Sequence, residues 1–349
     1  MDISAIDKNF TVVREIDKTG LKFYDIDASP FRIYGVTRHG DKYYRIPEEI
    51  AKTVNPGVES LCTNTSGGRI RFVTNSNKLA IAAVLNSIPN FVHMPLTGVC
   101  GFDVYADDDY IKTLLPPYGI KSGEAFEYMI ELDGKEHVIT VNMPLYSGVS
   151  QVMIGICEGA TLSEAPDYEY EQPIVYYGSS ITQGGCASRP GMAYQAILSR
   201  YTKSNFINLG FSGNAKGERE MSEYISGLDM RAFVFDYDYN APSWQHLENT
   251  HEPFFKVVRA SHPDIPIIML SRPCVTDDAS RLERLEVIKR TYENAIAAGD
   301  KNVYFIDGST LFLGIDNDFT VDGVHPTDLG FMYMAKGLLP VLMKSLKMD

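Results

Sequence analysis

The sequence predicts an α/β protein in two parts, an antiparallel β-sandwich over residues 1–165 followed by a three-layer α/β/α domain over residues 166–349. Three observations carry this reading. The chain has 349 residues, beyond the roughly 250 to 300 at which a single core stops growing. Up to about residue 160 it runs in short apolar segments divided by turn clusters. After the acidic, two-proline stretch Leu162–Pro173, read as a linker, apolar runs alternate instead with helical periods.

In the first half the segments "FRIYGV", "RIRFVT", "KLAIAAVL", "FDVYA", "FEYMIEL", "HVITVN" and "VMIGIC" read as strands. "NTSGG", "NSNK", "ADDD" and "LDGKE" separate them as turns. Strands at this spacing, with no long helical period between them, suit an antiparallel sandwich.

In the second half "IVYYG" is a buried strand and Gly191 to Arg200 a helix. "FINLGF" follows as a strand, then a polar helix from Lys216 to about Ser226. "AFVFD" is the third strand, and Phe254, Val257 and Val258 keep helical spacing until Pro263 ends it. "IPIIMLS" is the fourth, after which Leu285, Ile288, Tyr292 and Ile296 mark a helix face. "VYFID" is the fifth, and a last helix starts near Thr327. Such alternation gives a parallel sheet covered on both faces.

Composition narrows the function. Hydrophobic residues make up 44% and charged residues 22%, the balance of a folded globular chain. A net charge of -13 repels phosphate backbones and anionic lipid, so neither nucleic acid nor membrane is expected as a partner. "MDISAIDKNF" has no basic region followed by an apolar core, and no run approaches a membrane span. A cytoplasmic location is the expectation. The cysteines Cys62, Cys100, Cys157, Cys186 and Cys274 are odd in number and scattered, which argues for free thiols rather than disulfides or a zinc site. The sequon at Asn64 is read as chance.

Ligands of parallel sheets bind beyond the carboxyl ends of the strands. Those ends are Gly178-Ser179-Ser180, Gly210 to Asn214, Asp236 to Asn240, Ser271-Arg272 and the loop "TVDGVHP". Asp322 and His325, three apart, suit a carboxylate fixing an imidazole tautomer, and equally a turn built by Asp-Gly and Pro with Thr327 capping a helix. The adjacent serines have the same double reading. One is a helix cap with Gly178 allowing a tight turn; the other is a nucleophile whose oxyanion meets the free N–H groups of a helix start. The joint pattern decides. An activated serine needs a base, an orienting acid and oxyanion donors, and the second half supplies them in turn at its strand ends: Ser180, then Gly213 and Asn240, then Asp322 with His325.

"YGSSITQGG", "NLGFSGNA", "DYDYNAP" and "DGVHP" resemble, in order and spacing, the four blocks of the SGNH or GDSL-type esterase superfamily. The resemblance implies a flavodoxin-like three-layer α/β/α SGNH hydrolase domain, Ser180 as nucleophile, and Asp322 with His325 completing the triad. It implies an oxyanion hole from the N–H groups of Ser180 and Gly213 and the Asn240 side chain. Ser179 stands where the family name has Asp, and Asp238-Tyr239-Asn240-Ala241 replaces Gly-x-Asn-Asp. "MPLTGVCGFDVYADD" and "VNMPLYSGVSQVMIGICEGA" resemble the GxDLY β-sandwich domain: Gly101, Phe102, Asp103 and Tyr105 match its signature, with Val104 for Leu. The pairing implies a bacterial two-domain carbohydrate or acyl esterase.

Three further residues are candidates for substrate binding. Trp244 offers an indole to stack on a sugar ring or simply to pack. Arg189 and Arg272 suit a carboxylate or sugar hydroxyl, or brace loops through carbonyls. His246 and His251 are read as bystanders on the Trp244 loop, and Cys186 as unactivated. The carboxylates Asp236, Asp238, Asp277 and Asp278 raise a hard-metal alternative, set aside because no histidine accompanies them at ligand spacing. Neither metal nor cofactor is expected.

The resulting expectation is a serine esterase that removes small acyl groups, acetyl above all, from a small-molecule or oligosaccharide ester. No long apolar lid segment of the lipase kind is present in the sequence. A lipase or thioesterase for longer chains, and a non-catalytic carbohydrate-binding protein, are the alternatives. The sandwich loops are expected to border the cleft or to form a homo-oligomer contact.

Overall fold

The computed structural model describes residues 15–273, 279–315 and 318–348. They divide into two compact units. One comprises residues up to 44, 63–166 and 189–191, and the other 45–62, 167–188 and the chain from 192 on. The main crossing lies between Pro166 and Asp167. The two short excursions, 45–62 and 189–191, have no counterpart in a sequence reading that treats each half as continuous.

In the first unit the two main sheets pair antiparallel throughout. The first sheet runs in the order Leu21–Asp25, Val149–Cys157, Lys78–Leu85 and Ala125–Glu131. The second orders Leu162–Ser163, Arg69–Thr74, His137–Asn142, Phe102–Ala106 and Asp109–Leu114, with Arg32–Tyr34 also paired to Arg69–Thr74. The rings of Phe102 and Phe126, one from each sheet, stand 6.0 Å apart, so the inner faces meet as in a sandwich. Asp109–Leu114 escapes the sequence reading because its leading residues are mostly exposed. The turn before it holds Asp107 and Asp108 at φ of 51° and 73°, the paired left-handed conformation of a two-residue hairpin that Asp tolerates.

In the second unit five strands form a wholly parallel sheet: β1 (Tyr170–Gly178), β2 (Ser204–Gly210), β3 (Ala232–Asp236), β4 (Ile267–Leu270) and β5 (Val303–Ile306). Their order is β2-β1-β3-β4-β5, the flavodoxin-like arrangement whose ligand site lies beyond β1 and β3. The helices that follow β1 are α1 (Ser180–Gln183), α2 (Tyr194–Thr202), α3 (Arg219–Ser226), α4 (Trp244–Ser261), α5 (Ala279–Ala297) and α6 (Asp328–Leu346). Every residue of β3 is buried, as a strand covered on both faces requires. Rings of β1 and β3 reach α4: Tyr177 and Phe235 lie 5.0 Å and 4.9 Å from Phe254.

The α5 face differs from expectation. Arg281, Arg284, Val287, Ile288, Thr291 and Ala295 are buried, whereas Ile296 is exposed and Leu285 and Tyr292 are half-buried. Carboxylates draw the arginines inward, Asp307 for Arg281 at 3.5 Å and Asp238 for Arg284 at 3.2 Å, which rotates the buried stripe away from the apolar positions. Among the described residues no helix is long and apolar enough to cross a membrane.

Candidate active site

The two serines after β1 divide the two roles between them. Ser179 caps α1, its hydroxyl accepting from the Ile181 N–H at 3.2 Å. Ser180, the next residue, places its Oγ 2.8 Å from His325 Nε2. Gly178 has no positive φ, so its role is not the expected tight turn. A Cβ there would lie 2.0 Å from the Asp236 carbonyl and 2.1 Å from Thr182 Oγ1, and only glycine lets β1, β3 and α1 approach so closely.

The loop before α6 is both a turn and a paired acid and base. Asp322 Oδ1 accepts the N–H groups of Val324 and His325 at 3.0 Å and 2.8 Å, and its Oδ2 lies 2.7 Å from His325 Nδ1. The loop is closed at its neck, where the Val321 N–H donates to the His325 carbonyl at 2.9 Å. Burial alone would raise the Asp322 carboxyl, but the backbone and ring N–H groups of His325 and the Val324 N–H outweigh it and hold the group at about 2. An ionised carboxylate can only accept, so the proton of a neutral His325 sits on Nδ1 and Nε2 is left to accept from Ser180. Ser188 ties the two loops together, donating its N–H at 2.8 Å and its hydroxyl to the carboxylate of Asp328, the first residue of α6.

Gly213 lies three residues beyond β2 at φ 69°, a left-handed conformation that favours glycine. Asn240 ends a 3-10 turn after β3 and donates Nδ2 to the Phe211 carbonyl at 2.9 Å. The Phe211 N–H in turn donates to the Gly178 carbonyl at 2.9 Å. Phe211 therefore couples the loops that carry Gly213 and Asn240 to the strand end that carries Ser180.

Asp238 explains the departure from Gly-x-Asn-Asp. It is buried and accepts from Arg284 Nη1 at 3.2 Å and the Arg272 N–H at 3.0 Å, while Arg284 also donates to the carbonyls of Asp238 and Ala241 at 2.9 Å and 2.8 Å. These bonds fix the turn on which Asn240 sits. The Arg272 guanidinium faces Asp238 and lies 5.0 Å over Tyr239. The Arg189 guanidinium donates to Asp103 at 2.8 Å and to Tyr105, and the same Asp103 takes the Gly191 N–H at 2.8 Å. Both guanidinia thus face protein carboxylates, Asp103 for Arg189 and Asp238 for Arg272. The signature Asp and Tyr of the first half are what hold Arg189.

Trp244 is half-buried as the first residue of α4. His246 and His251 lie on that helix rather than on a loop. His251 stacks 4.4 Å from Phe235, and burial drives it down to about 3, so it is a neutral core residue. Burial, then the charge of Asp322, pushes the Cys186 thiol up to about 12. Burial likewise drives Asp236 well above the carboxylate range, against the Thr182 hydroxyl bond and with the charge of Asp238. Asp238 is already engaged by the arginines, and Asp236 by the Thr182 hydroxyl. Asp277 and Asp278 lie outside the described residues.

Hydroxyl, imidazole and carboxylate in series are the groups that acyl transfer to a serine needs. The GDSL-like lipase/acylhydrolase family matches residues 171–343, and the N-terminus of the SGNH-hydrolase-type esterases matches residues 21–162. Among solved structures, a Bacteroides ovatus ATCC 8483 protein described as a GDSL-like lipase is 31% identical over 94% of this chain and 99% of its own, with a TM-score of 0.84. A salicylyl-acyltransferase from a tetracycline biosynthetic pathway is 18% identical, covering 91% of this chain and 95% of its own at a TM-score of 0.76. An acetyl xylan esterase from the rumen bacterium Butyrivibrio proteoclasticus is 13% identical, covering 94% and 99% at 0.60. The last two are likenesses of fold. No curated protein matches. With the hydroxyl–imidazole–carboxylate series at the switch point of a flavodoxin-like sheet and both halves matched, the chain belongs to the GDSL-like lipase/acylhydrolase family, with the SGNH-type esterase N-terminus, and is a carboxylic ester hydrolase.

Proposed function

We propose that the protein removes small acyl groups, acetyl first, from carbohydrate esters through a Ser180–His325–Asp322 triad and an acyl-enzyme. The observation that carries it is the unbroken series of contacts, 2.8 Å from Ser180 Oγ to His325 Nε2 and 2.7 Å from His325 Nδ1 to Asp322 Oδ2. As Ser180 Oγ attacks the acyl carbonyl, Nε2 takes its proton, and Asp322 stabilises the imidazolium that forms. The Ser180 and Gly213 N–H groups and the Asn240 amide receive the developing oxyanion. Nε2 then gives its proton to the departing sugar oxygen, which leaves as the hydroxyl. Water, deprotonated by the same nitrogen, releases the acid.

The acetylated-sugar assignment is supported by the fold-level likeness to an acetyl xylan esterase and by the absence of a long apolar lid segment in the sequence. A series of p-nitrophenyl esters from acetyl to palmitoyl, with acetate release from acetylated oligosaccharides, tests it. We expect kcat/KM to be highest for acetyl and to fall by about tenfold or more by octanoyl, since each misfitted methylene costs on the order of 1–3 kcal/mol. A maximum at long chains would replace the substrate with a lipid or thioester.

A further inference from the structure

We infer that Arg45, from the half of the sequence outside the matched hydrolase region, is a positioning residue for the oxyanion-binding loop. The inference rests on the reading of Gly213 and Asn240 as oxyanion donors. Residues 45–62 belong to the second unit, as two short helices, Glu48–Val54 and Pro56–Leu61, preceded by Arg45.

Arg45 is buried. Its Nη1 donates to the carbonyls of Asn208, at 3.3 Å, and Gly210, the last residues of β2, and Nη2 donates to the Leu61 carbonyl at 2.8 Å. Its guanidinium carbon lies 4.4 Å over the ring of Phe211. Phe211 is the residue whose carbonyl holds Asn240 and whose N–H holds Gly178. A planar fork that binds two carbonyls edge-on while stacking on a ring fixes both the position and the tilt of the strand end. Gly213 lies two residues further on.

A second contact secures the other end of the same loop. Asn55 Nδ2 donates to the Asn214 carbonyl at 3.0 Å and to Glu218 at 2.7 Å. Glu218 also takes the Tyr177 hydroxyl at 2.9 Å and the Lys216 N–H at 3.0 Å. Gly57 packs so closely on Asn214 that a Cβ there would fall 1.9 Å from its Oδ1. Segment 45–62 thus grips residues 210–218 from both sides, and a truncation starting near residue 163 would remove part of the esterase unit as well as the sandwich.

The test compares the full-length wild type with Arg45→Met, Arg45→Lys and Asn55→Ser. Each is assayed for kcat and KM on p-nitrophenyl acetate, affinity for an alkylboronic acid as tetrahedral mimic, and thermal midpoint. We expect Arg45→Met to lower kcat about 10- to 100-fold with KM within about threefold, the scale set by a misplacement of about 1 Å at a reacting centre. Boronate affinity should fall in proportion to kcat. Arg45→Lys, which keeps the charge but not the fork or the stack, should recover only part of the loss, and Asn55→Ser should show a smaller loss of the same kind. Wild-type kcat and boronate affinity in a folded Arg45→Met protein would overturn the inference. So would losses that merely track the unfolded fraction. If Arg45→Met does not fold, Asn55→Ser decides by the same two readouts. Ser180→Ala separates this inference from the reading beneath it: an inactive Ser180→Ala with unaffected Arg45 variants refutes the positioning role alone, and a fully active Ser180→Ala refutes the site.

Discussion

Replacing Ser180 by alanine is expected to lower kcat on acetyl esters by about 10⁴- to 10⁶-fold while leaving the fold intact. The scale follows because no other group in the series can form the acyl-enzyme, so only the oxyanion donors and binding remain to accelerate attack by water. The hydroxyl is nearly buried and bonded to His325 Nε2, so the substitution removes that one bond. Circular dichroism and the thermal midpoint should change little. Steady-state rates beside that control measure the effect.

The second large effect is Asp322→Asn, for which a fall in kcat of about 10⁴-fold is expected with KM nearly unchanged. The amide matches the carboxylate in shape but turns an acceptor into a possible donor. If its NH₂ faces Nδ1, the ring proton moves to Nε2, the nitrogen that must receive the Ser180 proton. The pH profile distinguishes this from a general loosening of the loop. Held at about 2, Asp322 stays ionised across the working range, so protonation of this carboxyl leaves no mark on the wild-type profile near neutral pH. That depressed value also sets a stability term. The ionised carboxylate contributes stability above its unfolded value of about 4, and the contribution disappears as pH falls toward 2.

Much of this site was legible because its residues stand at the carboxyl ends of apolar strands, which periodicity locates well. "IVYYG" and "AFVFD" are buried throughout, and Ser180, Gly213 and Asn240 follow their strands within a few residues. The Asp322–His325 pair was legible because both members lie on one short loop. What supports the site was not legible. Arg45 and Asn55 stand 163 and 159 residues from their partners Asn208 and Asn214, and nothing local marks them. Arg284 looks like a solvent-facing helix charge until Asp238 is known to be buried beside it. The α5 face was misread for that reason, since the hydrophobic period assumes that charges point outward, and paired buried charges break that assumption. Arg189 was ambiguous because its acceptors, Asp103 and Tyr105, lie in the other half of the sequence.

The proposed mechanism requires Ser180 to become covalently acylated during turnover. Rapid acid quench of the enzyme with p-nitrophenyl acetate, followed by intact mass and peptide mapping, tests it most directly. A single acetyl adduct is expected on the peptide containing Ser180, formed in a burst and missing from the Ser180→Ala protein. An adduct on another residue that is kinetically competent for turnover, or an undiminished burst from Ser180→Ala, would contradict it.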